Sequence, residues 1–240
     1  MFITGNPYSD VLTYLSIVLP LLSVAIILFR KEYTHDELTF VMILCIFLFI
    51  QTVIFTNIRL FGLQSQPTHN VFNAIEFMLM VMILKLHTTS MRFRYVLNGF
   101  VIAYISSIAT YYAILGFTDD QLLLRSIQYG LMILMMGVSI GRQWRKQSIE
   151  MMGTPIFWIT ISTMFYFCFC LFWEAGKSYI FNTEETASLA TSVFVHLAKV
   201  IRFMAFTFAI WFLEPSAESL TYEASEEKYN DMRGSFSVLR

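Results

Sequence analysis

Seven apolar runs of about 20 residues, separated by short polar connections, set the limits on what this chain can fold into. They cover residues 10–29, 39–60, 70–88, 95–117, 121–141, 155–176 and 187–213. A helix of about 20 residues crosses the ~30 Å of a bilayer's hydrocarbon, and in lipid every backbone amide must be bonded within its own segment or a closed barrel. An all-α membrane protein follows, a seven-transmembrane-helix bundle over residues 1–213. Composition excludes the soluble alternative: 57% of residues are hydrophobic, 14% are charged, and the chain holds 24 Phe and 14 Met. The first run has no Lys or Arg ahead of it and no small-residue cleavage site, so it reads as a retained helix rather than a signal peptide. No internal repeat is apparent, which weighs against a transporter built from duplicated halves.

The connections carry turn and charge signals, among them QSQPTHN, TDDQ and Gly153-Thr154-Pro155. Lys and Arg are distributed unevenly between the two sides. Arg30, Lys31, Lys85, Arg92, Arg94, Arg142, Arg145 and Lys146 fall on one side, against Arg59, Arg125 and Lys177 on the other. The excess belongs in the cytoplasm, which places the N-terminus outside and the C-terminus inside. Residues 214–240 follow as an acidic cytoplasmic tail with six acids against three bases and no apolar periodicity, the pattern of a disordered segment. Within it, Phe236 and Leu239 of SFSVL are a candidate docking element for a cytoplasmic partner.

Charged residues inside the apolar runs are the functional lead, because an ionisable group at bilayer depth costs several kcal/mol and normally faces the bundle interior. Helix 3 aligns His69, Asn73, Glu76 and Met80 on one face, at spacings of four, three and four. Helix 7 aligns Ser188, Ser192, His196 and Lys199. Helix 2 adds Thr52, Thr56 and Arg59; helix 5 adds Gln121, Arg125 and Gln128; helix 6 adds Thr163, Tyr166, Cys170 and Glu174. In the predicted orientation these stripes lie in the outer half, with Glu76 ~10 Å below the surface and Arg59, Arg125, His196 or Lys199 as its expected cation. Arg202, one turn deeper, either extends the stripe or snorkels to the cytoplasm.

Two readings of these stripes stand. One is a water-accessible outward cavity whose cations outnumber its carboxylates and so suit a small anionic ligand. The other is cross-helix pairing that only holds the bundle together. Cys45, Cys168 and Cys170 lie within apolar runs and read as packing residues, not as a disulfide framework or metal site. No cofactor, metal or catalytic residue is expected. The intramembrane Lys and Glu of helices 7 and 3 resemble the retinal-binding rhodopsins in position alone, and four histidines, two of them cytoplasmic, are too few for a zinc hydrolase of the ceramidase-like type.

Three segments read together resemble an uncharacterised family of bacterial seven-helix integral membrane proteins: Asn73-Ala74-Ile75-Glu76-Phe77 in helix 3, Pro155 to Trp158 at the start of helix 6, and His196 in helix 7. Lys199 and Arg202 stand outside that pattern. Members often occur near sensor histidine kinases, so the resemblance implies a signalling role at the bacterial inner membrane. The chain then reads as a receptor-like sensor rather than an enzyme, with the lipid bilayer, a small anionic ligand and a membrane or cytoplasmic signalling protein as partners, and no nucleic acid. Its rivals are an ion- or proton-coupled transport protein using Glu76, His196 and Lys199 as a relay, and an accessory subunit docking through Gly137 and Gly141.

Overall fold

The computed structural model describes residues 7–30, 36–57, 65–88, 90–115, 122–146, 153–180 and 184–212. They form seven helices: α1 (Pro7–Phe29), α2 (Asp36–Thr56), α3 (Ser65–Leu86), α4 (Met91–Leu115), α5 (Leu122–Lys146), α6 (Pro155–Ile180) and α7 (Glu184–Phe212). Each contains a window long and apolar enough to cross a membrane. The acidic tail lies outside the described residues.

The helices overrun the apolar windows at about half of their ends, because backbone hydrogen bonding continues into polar residues that can still form a turn. α3 takes in Ser65 to His69 with Pro67 in its first turn, where a missing N–H is harmless. α4 starts where the Ser90 carbonyl accepts from the amides of Phe93 and Arg94. α6 begins on Pro155, as the sequence indicates. Pro20 stands inside α1 and cannot give the Ser16 carbonyl its helical bond.

Successive helices pack as neighbours, and α1 also packs on α7, so the seven close into a ring; α3 reaches inward to touch α5 as well as α2 and α4. The core of that ring is apolar and close-fitting: Val41, Leu44 and Leu48 from α2, Phe77, Met80 and Leu84 from α3, Met132 and Met135 from α5, Phe203 and Phe206 from α7. Phe77 of α3 stacks on Tyr104 of α4 with centroids 4.1 Å apart. α4 buries one narrow stripe, Phe93, Leu97, Tyr104 and Tyr111, and exposes Tyr95, Ile102, Ile105 and Ile114. Large apolar side chains such as Phe29, Phe165 and Phe172 point outward, which water would penalise but hydrocarbon does not.

Candidate functional site

Glu76 and Arg202 form the centre of the site. Glu76 stands eight residues into the apolar window of α3 and Arg202 nine into that of α7, or ~12 and ~14 Å at 1.5 Å per residue. Short connections make alternate helices run the same way, so the two reach the same depth from the same end. Arg202 Nη1 donates to Glu76 Oε1 at 2.6 Å, and both side chains are almost fully buried, 2% and 3% exposed. Arg202 Nε donates to Thr163 Oγ1 of α6 at 3.2 Å. The guanidinium carbon also lies 5.0, 5.3 and 5.8 Å from the ring centroids of Tyr166, Phe206 and Phe167. An ion pair, a hydroxyl and three π-faces together replace the water that a buried arginine loses.

Among the described residues the partner of Glu76 is therefore Arg202, rather than Arg125, His196 or Lys199. Arg125 is taken by Glu174, its Nη1 donating to Oε1 at 3.2 Å between α5 and α6. His196 turns toward α1, with its Nδ1 3.0 Å from Ser16 Oγ, which itself donates to the Thr13 carbonyl at 2.8 Å. The reason is angular: at about 100° per residue, position 196 lies about 120° around α7 from position 202. Lys199 shares Arg202's side of the helix and sits ~3 Å short of Glu76 in depth, without an ion pair to it. Arg59 lies outside the described residues, as do Gln121 and the side chains of Ser188 and Ser192.

A second polar layer lies about one to three turns nearer the N-terminal ends of α3 and α7. Asn73 Nδ2 donates to Gln128 Oε1 at 3.4 Å, joining α3 to α5. Asn70 Nδ2 donates to the Tyr112 hydroxyl at 2.8 Å, and Trp173 Nε1 to Thr191 Oγ1 at 3.0 Å. The His69 ring packs on Phe55 with centroids 5.1 Å apart. α2 contributes nothing polar across the bundle at Thr52 and Thr56, whose hydroxyls donate to the Leu48 and Thr52 carbonyls of their own helix.

Lys199 stands between the two layers. It is partly buried and lies within electrostatic range of Glu76, Cys170 and Arg202 on one side and His69 on the other. Among the described residues it has no hydrogen bond or ion pair. Three donors of the two layers, Arg202 Nη2, Arg125 Nε and Gln128 Nε2, are also buried with no acceptor among those residues. The two carboxylates are each matched by an arginine, so the formal charge of the Glu76, Arg202 and Lys199 group is +1. That group is one negative charge short of neutrality.

Arg202 is the functional residue that sequence periodicity did not single out; its depth in the apolar window was the available signal. Among the described residues an apolar layer follows at the next level. There, toward the C-terminal ends of α3 and α7, the described interior is Met80, Ile83, Leu84, Met136, Phe206 and Ile210, with hydroxyl contacts such as Ser23 to Thr207 at 3.0 Å. At the far end, Glu37 meets His87 at 3.3 Å, Arg142 covers the Phe93 ring at 4.5 Å, and Arg30 Nη1 holds the α7 carbonyls of Ile210 and Trp211. Compared with known proteins, the chain matches no family model, no curated protein and no solved structure.

Proposed function

We propose that the chain is a receptor-like sensor of the bacterial inner membrane that binds a small anionic ligand within its bundle and signals through a partner. The N-terminus faces outside, so the polar half of the bundle opens outward and the basic ends of the helices meet the cytoplasm. The observation that carries this reading is Lys199, a cation inside the ring of helices with no ion pair among the described residues, within electrostatic range of Arg202, whose Nη2 is buried with no acceptor. Holding a surplus positive charge at that depth is costly, and an anion supplied from outside removes the cost. The resemblance of the segments around Glu76, Trp158 and His196 to seven-helix proteins found near sensor kinases supports a signalling role.

A transport role is the rival, with the charged groups as relay. Against it, among the described residues an apolar layer follows the charged groups at mid-depth, which suits a blind site better than a conduit. An accessory-subunit role finds support in Gly137 and Gly141, which are exposed and would meet nothing within 4 Å among the described residues if given a Cβ, so no described helix uses their closeness. Binding and flux separate these readings. In proteoliposomes, anion-dependent stabilisation without anion or proton flux is expected; flux coupled to the anion gradient would replace the sensor by a transporter.

A further inference from the structure

We propose that the charged group of the ligand is a single carboxylate, seated between the Lys199 ammonium and Nη2 of Arg202. This names the ligand class of the anion site above and rests on that reading. Charge selects the valence: Glu76, Arg202 and Lys199 sum to +1 formally, so a monoanion brings the buried group to neutrality, whereas sulfate or hydrogen phosphate at charge −2 leaves a net negative charge there.

Geometry selects the shape. Of the three donor nitrogens of Arg202, Nη1 is committed to Glu76 and Nε to Thr163, leaving Nη2 as the buried one without an acceptor. Lys199 precedes it by three residues, about 60° around the same helix, and is within electrostatic range of the same guanidinium. Two donors of this kind match two oxygens of one carboxylate, one to each cation; a halide would have to draw both donors to a single centre. Glu76 keeps the other edge of Arg202 fixed, so the guanidinium plane is held before the ligand arrives. The Tyr166 and Phe167 rings beside that plane provide an apolar wall for a short hydrocarbon tail.

The test uses the full chain in detergent micelles at pH 8, where phosphate is mainly the dianion, and at constant ionic strength, with thermal unfolding followed against sodium acetate, butyrate, chloride, sulfate and phosphate. A ligand that binds only the folded state raises Tm in a saturable way. Acetate and butyrate are expected to half-saturate at a concentration at least about tenfold below that of any of the other anions. Lys199→Met should lose that response and Lys199→Arg should keep it to within about threefold, a factor that two cations able to donate to one carboxylate permit. Sulfate, phosphate or chloride matching the carboxylates would overturn the carboxylate assignment and leave an anion sensor. A full carboxylate response in Lys199→Met would move the site elsewhere in the bundle. If none of the five anions stabilises the wild-type chain, the anion-sensor reading itself fails. Should Lys199→Met not fold, the anion series on the wild-type chain and Lys199→Arg still decides the class.

Discussion

Replacing Glu76 by Gln tests the site at its centre. The amide keeps the shape of the side chain and removes the charge, so Arg202 stays buried at 2% exposure with Thr163 and three rings but no anion. Two magnitudes compete for the expected cost. Neutral hydrogen bonds across membrane helices average ~0.6 kcal/mol and reach ~1.7, while stripping one partner from a buried ion pair costs about 3–5 kcal/mol. The second applies, since both side chains are nearly inaccessible and Lys199 adds a second positive charge nearby. Glu76→Asp keeps the charge and loses one methylene, worth about 1 kcal/mol. Arg202→Met should also destabilise, by stranding the carboxylate. The double variant Glu76→Gln with Arg202→Met should be less destabilised than the two singles combined, by about 2 kcal/mol or more, because each change removes the same interaction. Reversible unfolding in mixed micelles measures all four proteins. Additivity to within about 0.5 kcal/mol would refute the pairing, and with it the argument that Arg202 organises the site.

Three further outcomes follow from the same geometry. Lys199→Met, measured without added carboxylate, should leave the fold as stable or more stable, since it deletes a cation that has no acid partner among the described residues; a loss above about 1 kcal/mol would show that Lys199 already has a structural partner. Ser16→Ala and His196→Ala should each cost about 1 kcal/mol and be non-additive, whereas His196→Ala combined with Glu76→Gln should be additive; the opposite pattern in unfolding experiments would return His196 to the central cluster. Cysteine placed at position 118 or 183 should react with a membrane-impermeant thiol reagent from outside in cells, and cysteine at 90 or 147 should not, with the reverse labelling inverting the proposed orientation.

How much of this was legible in the sequence depends on which physical signal each feature leaves there. Helix number and type were, because a membrane-spanning helix must show its full apolar length in one uninterrupted run, and all seven runs coincide with helices. The ends were less so: the hydrophobic window marks where lipid begins, whereas the helix ends where its last amides find acceptors, as at Ser65 and Met91. The inward face of α3 was legible from spacing, since Asn73, Glu76 and Met80 are all buried. On α2 the same reasoning overreached. A threonine looks polar in sequence, yet Thr52 and Thr56 satisfy their hydroxyls on their own backbone and bring no polarity to the interior.

Arg202 shows where periodicity gives way to depth. Spacing alone leaves an arginine next to Lys199 free to turn inward or to reach along the helix for the polar boundary. Its position settles the matter: it stands nine residues, ~14 Å, from one end of the α7 window and ten, ~15 Å, from the other. A side chain with three methylenes cannot span that distance to water in either direction. It must therefore find an anion within the bundle, and the carboxylate at matching depth on a helix running the same way is Glu76, eight residues into its own window. The equal depth of two charges on parallel helices, more than the face each occupies, carries the information that they pair. Applied to Lys199 the same count gives ~9 Å from the near end, between the Glu76 and Arg202 pair and the Arg125 and Glu174 pair, and among the described residues neither carboxylate forms an ion pair with it.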